Sequence, residues 1–548
     1  MSEKVRVLFT ADEEEIADLE ADARPSIFVR LGRLHEAVDQ AERALLQSEL
    51  HVYHRDGQLV QVVGIDDPAS LGRSKKQKGI ERPKGAPQII PLDPAHLTAL
   101  LSRVAKFWKP GRKTSKDEPI EPAPIDPPKR LVDAVLANPE SQLQPLVAFV
   151  EAPLLIPDNK PLIPERVGYI DSHGLLLTGF PNDWHLARPG TKRKWADANR
   201  ALSVLRDVLA TFPFESDADF AATISLLLTG LQRRLLPSAP IFGIGAPTPG
   251  TGKSLLADVI SIICTGRPAA VMSLGDDSAE LEKRFGAVLL AGDGFINIDN
   301  VSVPLKSDLL CSIATQPEVL IRVLGVSKRA KITTRTTVVI TGNNLVFRGD
   351  LTRRVIPIRL NAKCEQPEKI EFPGNPKRAA LARRAELVSA ALTIIAAYHE
   401  AGYPDVGGSA YGSFEDWDRT IRKALLWLDL DDPLDAAGNL RANDPDLTAF
   451  TALLQAWHER FGNTNISAQA VVNDAYDRFA EGDREAGRLV HPQLNEALTL
   501  TARGNSQVSP GGLGRYLGAH IDRPVDGLIL RRAGILKGIA QWRVEHAD

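Results

Sequence analysis

At 548 residues, with 43% hydrophobic and 25% charged residues, the chain has the composition of a folded globular protein and exceeds what one hydrophobic core organises. That excludes a disordered or fibrous chain and predicts three or more domains. A formal net charge of -3 provides no global attraction to nucleic acid, so any such contact has to come from local basic clusters.

The cysteines, Cys264, Cys311 and Cys364, are far apart and lack metal-ligand spacing. Each falls in or beside an apolar segment, which reads as inert buried thiols in a reducing compartment. The N-terminus MSEKVRVLFTADEEEIADLE is acidic, without the apolar core of a signal peptide, and longer apolar runs are broken well short of membrane-spanning length. A cytoplasmic protein without membrane contact is expected.

Residues 1–116 alternate strand-like pieces (SIFVRLG, HVYHRDGQLVQVVG) with a helical one (LHEAVDQAERALLQ), predicting a small α+β module with a hairpin at Asp56-Gly57. The basic run GRSKKQKGIERPKG interrupts it and reads as a solvated loop. Residues 117–128, inside the proline-dense KDEPIEPAPIDPPK, predict an extended linker, and 129–204 a strand-rich connecting domain.

From 205 to 375 apolar strands alternate with amphipathic helices: PIFGIGA, KSLLADVISIICTG, VMSL, SAELEKRFGAVLLAG, GFINIDNV, SDLLCSIATQ, TTVVITG, VIPIRL. This is the pattern of a parallel α/β sheet. Residues 376–463 predict a helical lid, built on RAALARRAELVSAALTIIAAYHEAG and FEDWDRTIRKALLWLDL. In 464–548 two helices, a third capped by Ser509 (SPGGLGRYLGAHID) and a hairpin from LILRRAG and IAQWRV give the order of a winged helix. Such a domain reads a DNA major groove or binds a protein, and both remain open.

Three motifs carry chemistry. In APTPGTGKS a turn between strand and helix, Pro249, Gly250, Thr251, Gly252, Lys253, Ser254 and Leu255, predicts a phosphate cradle. Its backbone N–H groups face an anion, Lys253 neutralises the outer phosphates, and Ser254 offers Mg²⁺ an oxygen. Pro247 stands where the first glycine of the usual pattern would be, so the loop entry has to differ. FINIDN ends a strand at Asp299, a second metal-holding group, followed by Asn300 where a water-polarising carboxylate is common. TTVVITGNN ends at the amides Asn343 and Asn344, suited to a γ-phosphate or a water. Arg353 and Arg354, just before the last strand, are candidates for an arginine finger into a neighbouring subunit, with Arg354 favoured.

The order GTGKS, IDN, TGNN, DLTRR resembles the AAA+ ATPase core of superfamily 3 type helicases in replication proteins of phages, plasmids and integrated mobile elements. The resemblance covers about 160 residues in its specific part. It implies a hexameric ring that hydrolyses ATP with Mg²⁺ at subunit interfaces and moves along one DNA strand, typically 3′ to 5′. It also implies a role in replication, with a primase or other replication protein as a possible further partner. Members often carry an N-terminal primase-polymerase, but residues 1–130 show no convincing metal-binding carboxylate set or zinc motif, so priming is not supported.

In VLIRVLGVSKRAKITTRTTVVI two β-rich runs flank a basic segment, in the place where the family has a hairpin that projects into the pore and grips DNA. The resemblance assigns that role to Lys328, Arg329 and Lys331. A ring of such hairpins makes a positive collar despite the near-neutral chain. Two competing classes stay in view. A protein-remodelling AAA+ ATPase grips polypeptide with an aromatic pore residue, and GVSKRAK has none. An ATP-dependent switch or origin-binding scaffold is kept alive by Asn300, since a site without a good base turns over slowly.

Overall fold

The structure is a computed structural model. It describes residues 23–64, 79–111, 122–155, 161–162, 168–170, 173–178, 193–275, 278–322, 329–364, 366–369, 374–436, 445–480, 487–501 and 507–547.

The N-terminal part builds around β1 (Ser26–Phe28), α1 (Leu34–Leu46), β2 (Val52–Arg55) and β3 (Gln58–Val63). In α1, Ala37, Val38, Ala41, Ala44 and Leu45 form one buried stripe. Arg55 pairs with Gln58 across the two-residue turn, as the Asp56-Gly57 signal predicts. After β4 (Ile80–Glu81) and β5 (Gln88–Pro91), α2 (Pro94–Val104) starts at Asp93, whose side chain accepts a hydrogen bond from the His96 amide at 2.7 Å. The module carries two sheets, β1-β6-β7 and β2-β3-β5, with β6 at Lys106–Lys109 and β7 at Ala123–Ile125.

Strand β7 corrects one expectation. It is the tail of the proline-dense stretch, and Ile125 pairs with Phe107, so the end of the expected linker is an edge strand, a position where proline costs no ladder hydrogen bond. The expected connecting domain is likewise divided. Its helix α3 (Lys129–Leu136) completes the N-terminal core through Leu131, Val132 and Val135. The strands β8 (Ala148–Val150), β9 (Leu154–Leu155), β10 (Pro161–Leu162), β11 (Gly168–Ile170) and β12 (Leu175–Leu177) form small sheets, and α4 (Trp195–Leu209) joins the central core. The apolar stripe of each helix, not its place in the chain, decides which core it joins.

Helix α5 (Asp217–Gln232) is buried on nearly every face and lies under the central sheet. The parallel strands are β13 (Ile241–Ala246), β14 (Ala270–Ser273), β15 (Phe295–Asp299), β18 (Thr337–Asn343) and β19 (Val355–Arg359). Helices α6 (Lys253–Thr265), α7 (Ser278–Ala291) and α8 (Asp308–Thr315) connect them, and the order is β19-β13-β18-β15-β14-β4. The expected parallel α/β core is therefore present.

The sixth strand comes from elsewhere. β4 lies inside the run that reads as a basic loop, yet it pairs antiparallel with β14, Met272 opposite Ile80. Arg82 donates to both carboxylate oxygens of Asp293 at 2.6–3.1 Å, and Arg55 donates to the Leu290 carbonyl at 3.0 Å. Burial outweighs Arg82 and holds the Asp293 carboxyl above the usual range. The N-terminal module is thus clasped to the central sheet, and the part of the basic run at 72–78 lies outside the described residues.

Helices α9 (Pro376–Ala382) and α10 (Arg384–Glu400) pack on the same core. So does the segment α11 (Glu415–Trp417), which runs through a π turn into α12 (Lys423–Leu426); Trp417 Nε1 donates to Thr229 Oγ1 of α5 at 2.8 Å. A separate C-terminal core gathers α13 (Pro445–Phe461), α14 (Ala468–Ala475), α15 (Pro492–Thr501) and α16 (Pro510–Gly518). Its sheet has the order β20-β23-β22-β21, from Ile466–Ser467, Ile539–His546, Leu528–Leu536 and Pro524–Val525. Phe450, Leu453 and Trp457 of α13 belong to this core, so a division at 463/464 separates a helix from the body it packs in. Among the described residues no helix is long and apolar enough to cross a membrane.

Candidate nucleotide site

β13 ends at Ala246, and the loop that follows turns through Gly250 (φ 76°) and Gly252 (φ 96°) into α6. Gly252 is the residue before the first helical turn, and its left-handed backbone aims the free amides of α6 outward. Pro247 is accommodated as exposed backbone ahead of these two glycines. Thr251 Oγ1 donates to the Thr248 carbonyl at 2.7 Å and closes the loop. Lys253 Nζ donates to the same carbonyl at 3.2 Å; partial burial lowers its pKa, and Asp299 opposes that shift. Pro249, Gly250 and Ser254 are exposed, and Leu255 is half-buried behind them.

The next group converges on this loop from 45 residues away. Ser254 Oγ donates to Asp299 Oδ1 at 2.9 Å. Thr341 Oγ1 also donates to Asp299 Oδ1, and Asn297 Nδ2 approaches it at 3.4 Å. Thr341 and Asn297 were missed in the sequence, although each stands two residues before a recognised one (Asn343 and Asp299) and so shares its face of the strand. Asn343 pairs with Ala246 in the ladder, beside the loop, and its Oδ1 is buried with no hydrogen-bond partner. Asn344 and Asn300 follow their strands in left-handed turns (φ 48° and 58°). The two strand ends touch: a Cβ on Gly342 would stand 2.1 Å from the Val301 carbonyl, so only glycine permits this approach.

A hydroxyl and a carboxylate oxygen side by side form a hard-oxygen set of the kind Mg²⁺ takes. With free helix amides and a lysine around them, the residues fit a metal–triphosphate, and the unpaired Asn343 oxygen is an acceptor for a water beside it.

The arginines stand elsewhere. Val355 pairs with Ile241 at the start of β13, so Arg353 and Arg354 lie at the opposite end of the sheet from the loop. With six residues in β13, that separation is about 17 Å. Arg354, the one favoured from sequence, is bound within its own chain: it donates to the Cys311 carbonyl at 2.6 Å and Thr315 Oγ1 at 2.8 Å, and pairs with Asp350 at 2.6 Å. Its side chain is 13% exposed, whereas that of Arg353 is 52% exposed and pairs only with Asp350 among the described residues. Arg353 holds the Asp350 carboxyl below its usual range.

The basic hairpin is β16 (Glu318–Arg322) paired antiparallel with β17 (Arg329–Thr333). Lys328, with Gly325 and Ser327, lies outside the described residues; Arg329 opens β17. Lys331 is exposed and paired with Glu318, which raises its pKa through that hydrogen bond. Two residues that sequence reading passed over hold the hairpin's base. Arg233 donates to the Thr334 carbonyl at 2.9 Å and Arg234 to the Arg335 carbonyl at 2.7 Å. Burial pulls these guanidiniums down to about 9 and about 10. Cys264 and Cys311 are buried, their thiols pushed up to about 12 and about 11, but Cys364 is exposed, contrary to expectation, on the turn after β19.

No protein-family model and no curated protein matches the sequence. The chain is similar to solved structures, among them two described as helicases. One titled as the NrS-1 C terminal region (305-718) aligns over 93% of this chain and 99% of its own, at 11% identity and a TM-score of 0.40. The active helicase Cch of SCCmec type IV aligns over 91% and 98%, at 14% identity and 0.33. A JCV helicase aligns over 46% and 74%, at 12% identity and 0.21.

Proposed function

We propose that the protein is an ATP hydrolase of the AAA+ type that drives movement along DNA, a helicase or translocase in replication of a phage, plasmid or integrated mobile element. The observation that carries the nucleotide assignment is the Ser254–Asp299 hydrogen bond at 2.9 Å, which joins the phosphate loop to a strand-end carboxylate. The helicase class rests on the sequence resemblance and on the basic hairpin, which offers cations and no aromatic grip.

Lys253 and the amides of the loop bind the phosphates, and Ser254 with Asp299 holds Mg²⁺. Bound Mg²⁺ neutralises charge that develops on the transferred phosphoryl group. Asn343 orients water through the Oδ1 that lacks a partner, or donates from Nδ2 to the γ-phosphate. Asn300 carries an amide, which positions water but takes no proton. Since neither arginine reaches the loop of its own chain, completion of the site calls for a second copy. We place Arg353 in that role, with Arg354 fixing the turn that presents it. A ring, in the resemblance a hexamer, follows from repeating such a contact. Arg329, Lys331 and Lys328 would then face the central hole and hold a DNA strand, and the C-terminal domain is read as a winged helix.

ATP-dependent strand displacement on forked DNA tests the whole reading, with particle images of the same sample. Unwinding by a ring supports it. Slow hydrolysis without unwinding would favour the second reading that Asn300 supports, an ATP-dependent switch on DNA.

A further inference from the structure

A cavity of about 1160 Å³ lies away from the nucleotide loop. It opens between α16 of the C-terminal domain and two loops of the central domain. Those loops, after β15 and β18, leave the two strands that end in Asp299 and Asn343. They are joined by backbone hydrogen bonds, Leu305 N to the Val346 carbonyl at 2.8 Å and Arg348 N to the Leu305 carbonyl at 3.0 Å. Immediately past the buried Leu305 and Phe347, each loop puts a cation on the cavity wall: Lys306 and Arg348. The facing wall is α16 with the turn that follows it, which contribute Arg515 and Tyr516, and His520, respectively.

Three features define what would fill this space. Lys306 and Arg515 are exposed and on different domains, and Arg348 has one carboxylate neighbour, Asp446 at 3.3 Å. The rings of Tyr516 and His520 lie tilted against each other with centroids 4.4 Å apart, and Leu500 of α15 lines the cavity at 55% exposure. The volume exceeds the ordinary range for small ligands, about 300–1,000 Å³. Cations spread over separate elements beside aromatic and aliphatic surface are the chemistry of a polynucleotide strand, whose phosphates need charge and whose bases need a flat apolar face. A duplex is disfavoured, because the N-terminal end of α16 that would enter a major groove faces a protein wall here.

We propose that the cleft between α16 and the loops after β15 and β18 is a binding site for single-stranded DNA, with phosphates on Lys306, Arg348 and Arg515 and a base against Tyr516 and His520. The proposal deepens the helicase reading and takes from it only the identity of the polyanion. It adds a route by which nucleotide and DNA are linked: the two loops that grip the strand are continuations of the two strands that hold the phosphate site.

The test uses the full chain without nucleotide and a fluorescein-labelled dT oligomer, with anisotropy read at several salt concentrations. Replacing Lys306→Ala and Arg515→Ala together weakens binding at least ~10-fold and makes the log–log salt slope shallower by about 1.4, two phosphate contacts at about 0.7 each. Arg515→Lys keeps affinity within about twofold, since the charge remains. Both residues are exposed, so the variants fold. Unchanged affinity and slope in the double variant would overturn the site, as would a wild-type chain that binds no oligomer, or duplex competing as well as single strand. Hydrolysis measured in parallel separates the two readings. DNA binding that depends on Lys306 and Arg515 in a chain without ATPase activity sinks the helicase reading alone; normal unwinding by the double variant with unchanged binding sinks the cleft alone.

Discussion

The two ends of the central sheet are built on opposite terms. At the carboxyl end of the strands, polar groups keep unused capacity: Asn343 Oδ1 has no partner, and Lys253 rests on a backbone carbonyl. At the amino end almost every cation is committed, Arg354 to α8 and its own turn, Arg233 and Arg234 to the base of the hairpin. Arg353 is the least committed, half exposed on a short helical turn with Asp350 as its ion-pair partner. The difference teaches that one end is arranged to receive a ligand and the other to hold two projections rigid, the hairpin and a single arginine. Since the ends are about 17 Å apart within one subunit, ligand and arginine meet only if two subunits stack end to face.

The largest effects should fall on the receiving end. Lys253→Ala is expected to take phosphate release from ATP down to background while leaving the melting temperature within a degree or two, because the side chain is anchored by one hydrogen bond only. Hydrolysis at the wild-type rate would remove the loop from the mechanism. The committed end splits its two arginines. Arg353→Ala should lower kcat by about 10³ with normal stability, the scale of an arginine finger. Arg354→Ala should in addition lower the melting temperature, since it deletes two hydrogen bonds and an ion pair. Mixing Arg353→Ala with Lys253→Ala subunits should restore part of the activity at mixed interfaces; absence of recovery would show that Arg353 does not act across subunits.

A third region breaks the simple two-ended picture, because the N-terminal module extends the sheet sideways. Arg82→Ala leaves Asp293 buried beside Arg234 with its main partner gone, and a loss of about 3–5 kcal/mol is expected in denaturant melts. The Asp293 carboxyl already sits above its unfolded value, so the folded state binds the extra proton, and stability contributed there falls as pH rises through that window. In the variant the carboxyl rises further, and the deficit should therefore shrink as pH is lowered from neutral toward 5. A deficit independent of pH would mean that Asp293 is not the group left uncompensated.

These regions were unequally legible. Pro249 to Leu255 is contiguous, and strand alternation delivers Asp299 and Asn343 to one edge, so local spacing places them without knowledge of the rest of the chain. The clasp is the reverse case. β4 is two residues long inside a basic run, and Arg82 meets a partner 211 positions away, which no window of sequence contains. For α13 the apolar stripe was visible, but a stripe does not say which of two cores it faces. Arg353 and Arg354 are adjacent and alike, and only the turn's backbone decides that Arg354 points at α8 while Arg353 points outward.

The smallest expected effect concerns the hairpin's charge. Lys331, opposite Leu320 in mid-strand, reaches diagonally to Glu318, whose own ladder partner is Thr333, so a cation assigned to DNA spends part of its field on its own hairpin. Glu318→Gln keeps the size of the side chain and removes the charge. Lys331 is then free for a phosphate, and single-stranded DNA should bind a few-fold tighter with a salt slope steeper by up to about 0.7. Lys331→Ala in the Glu318→Gln background should cancel that gain. If the Glu318→Gln slope matches wild type while the Lys306→Ala, Arg515→Ala double variant still shows its loss, the strand is held by the cleft beside α16, and the hairpin at the opposite end of the sheet serves assembly instead of grip.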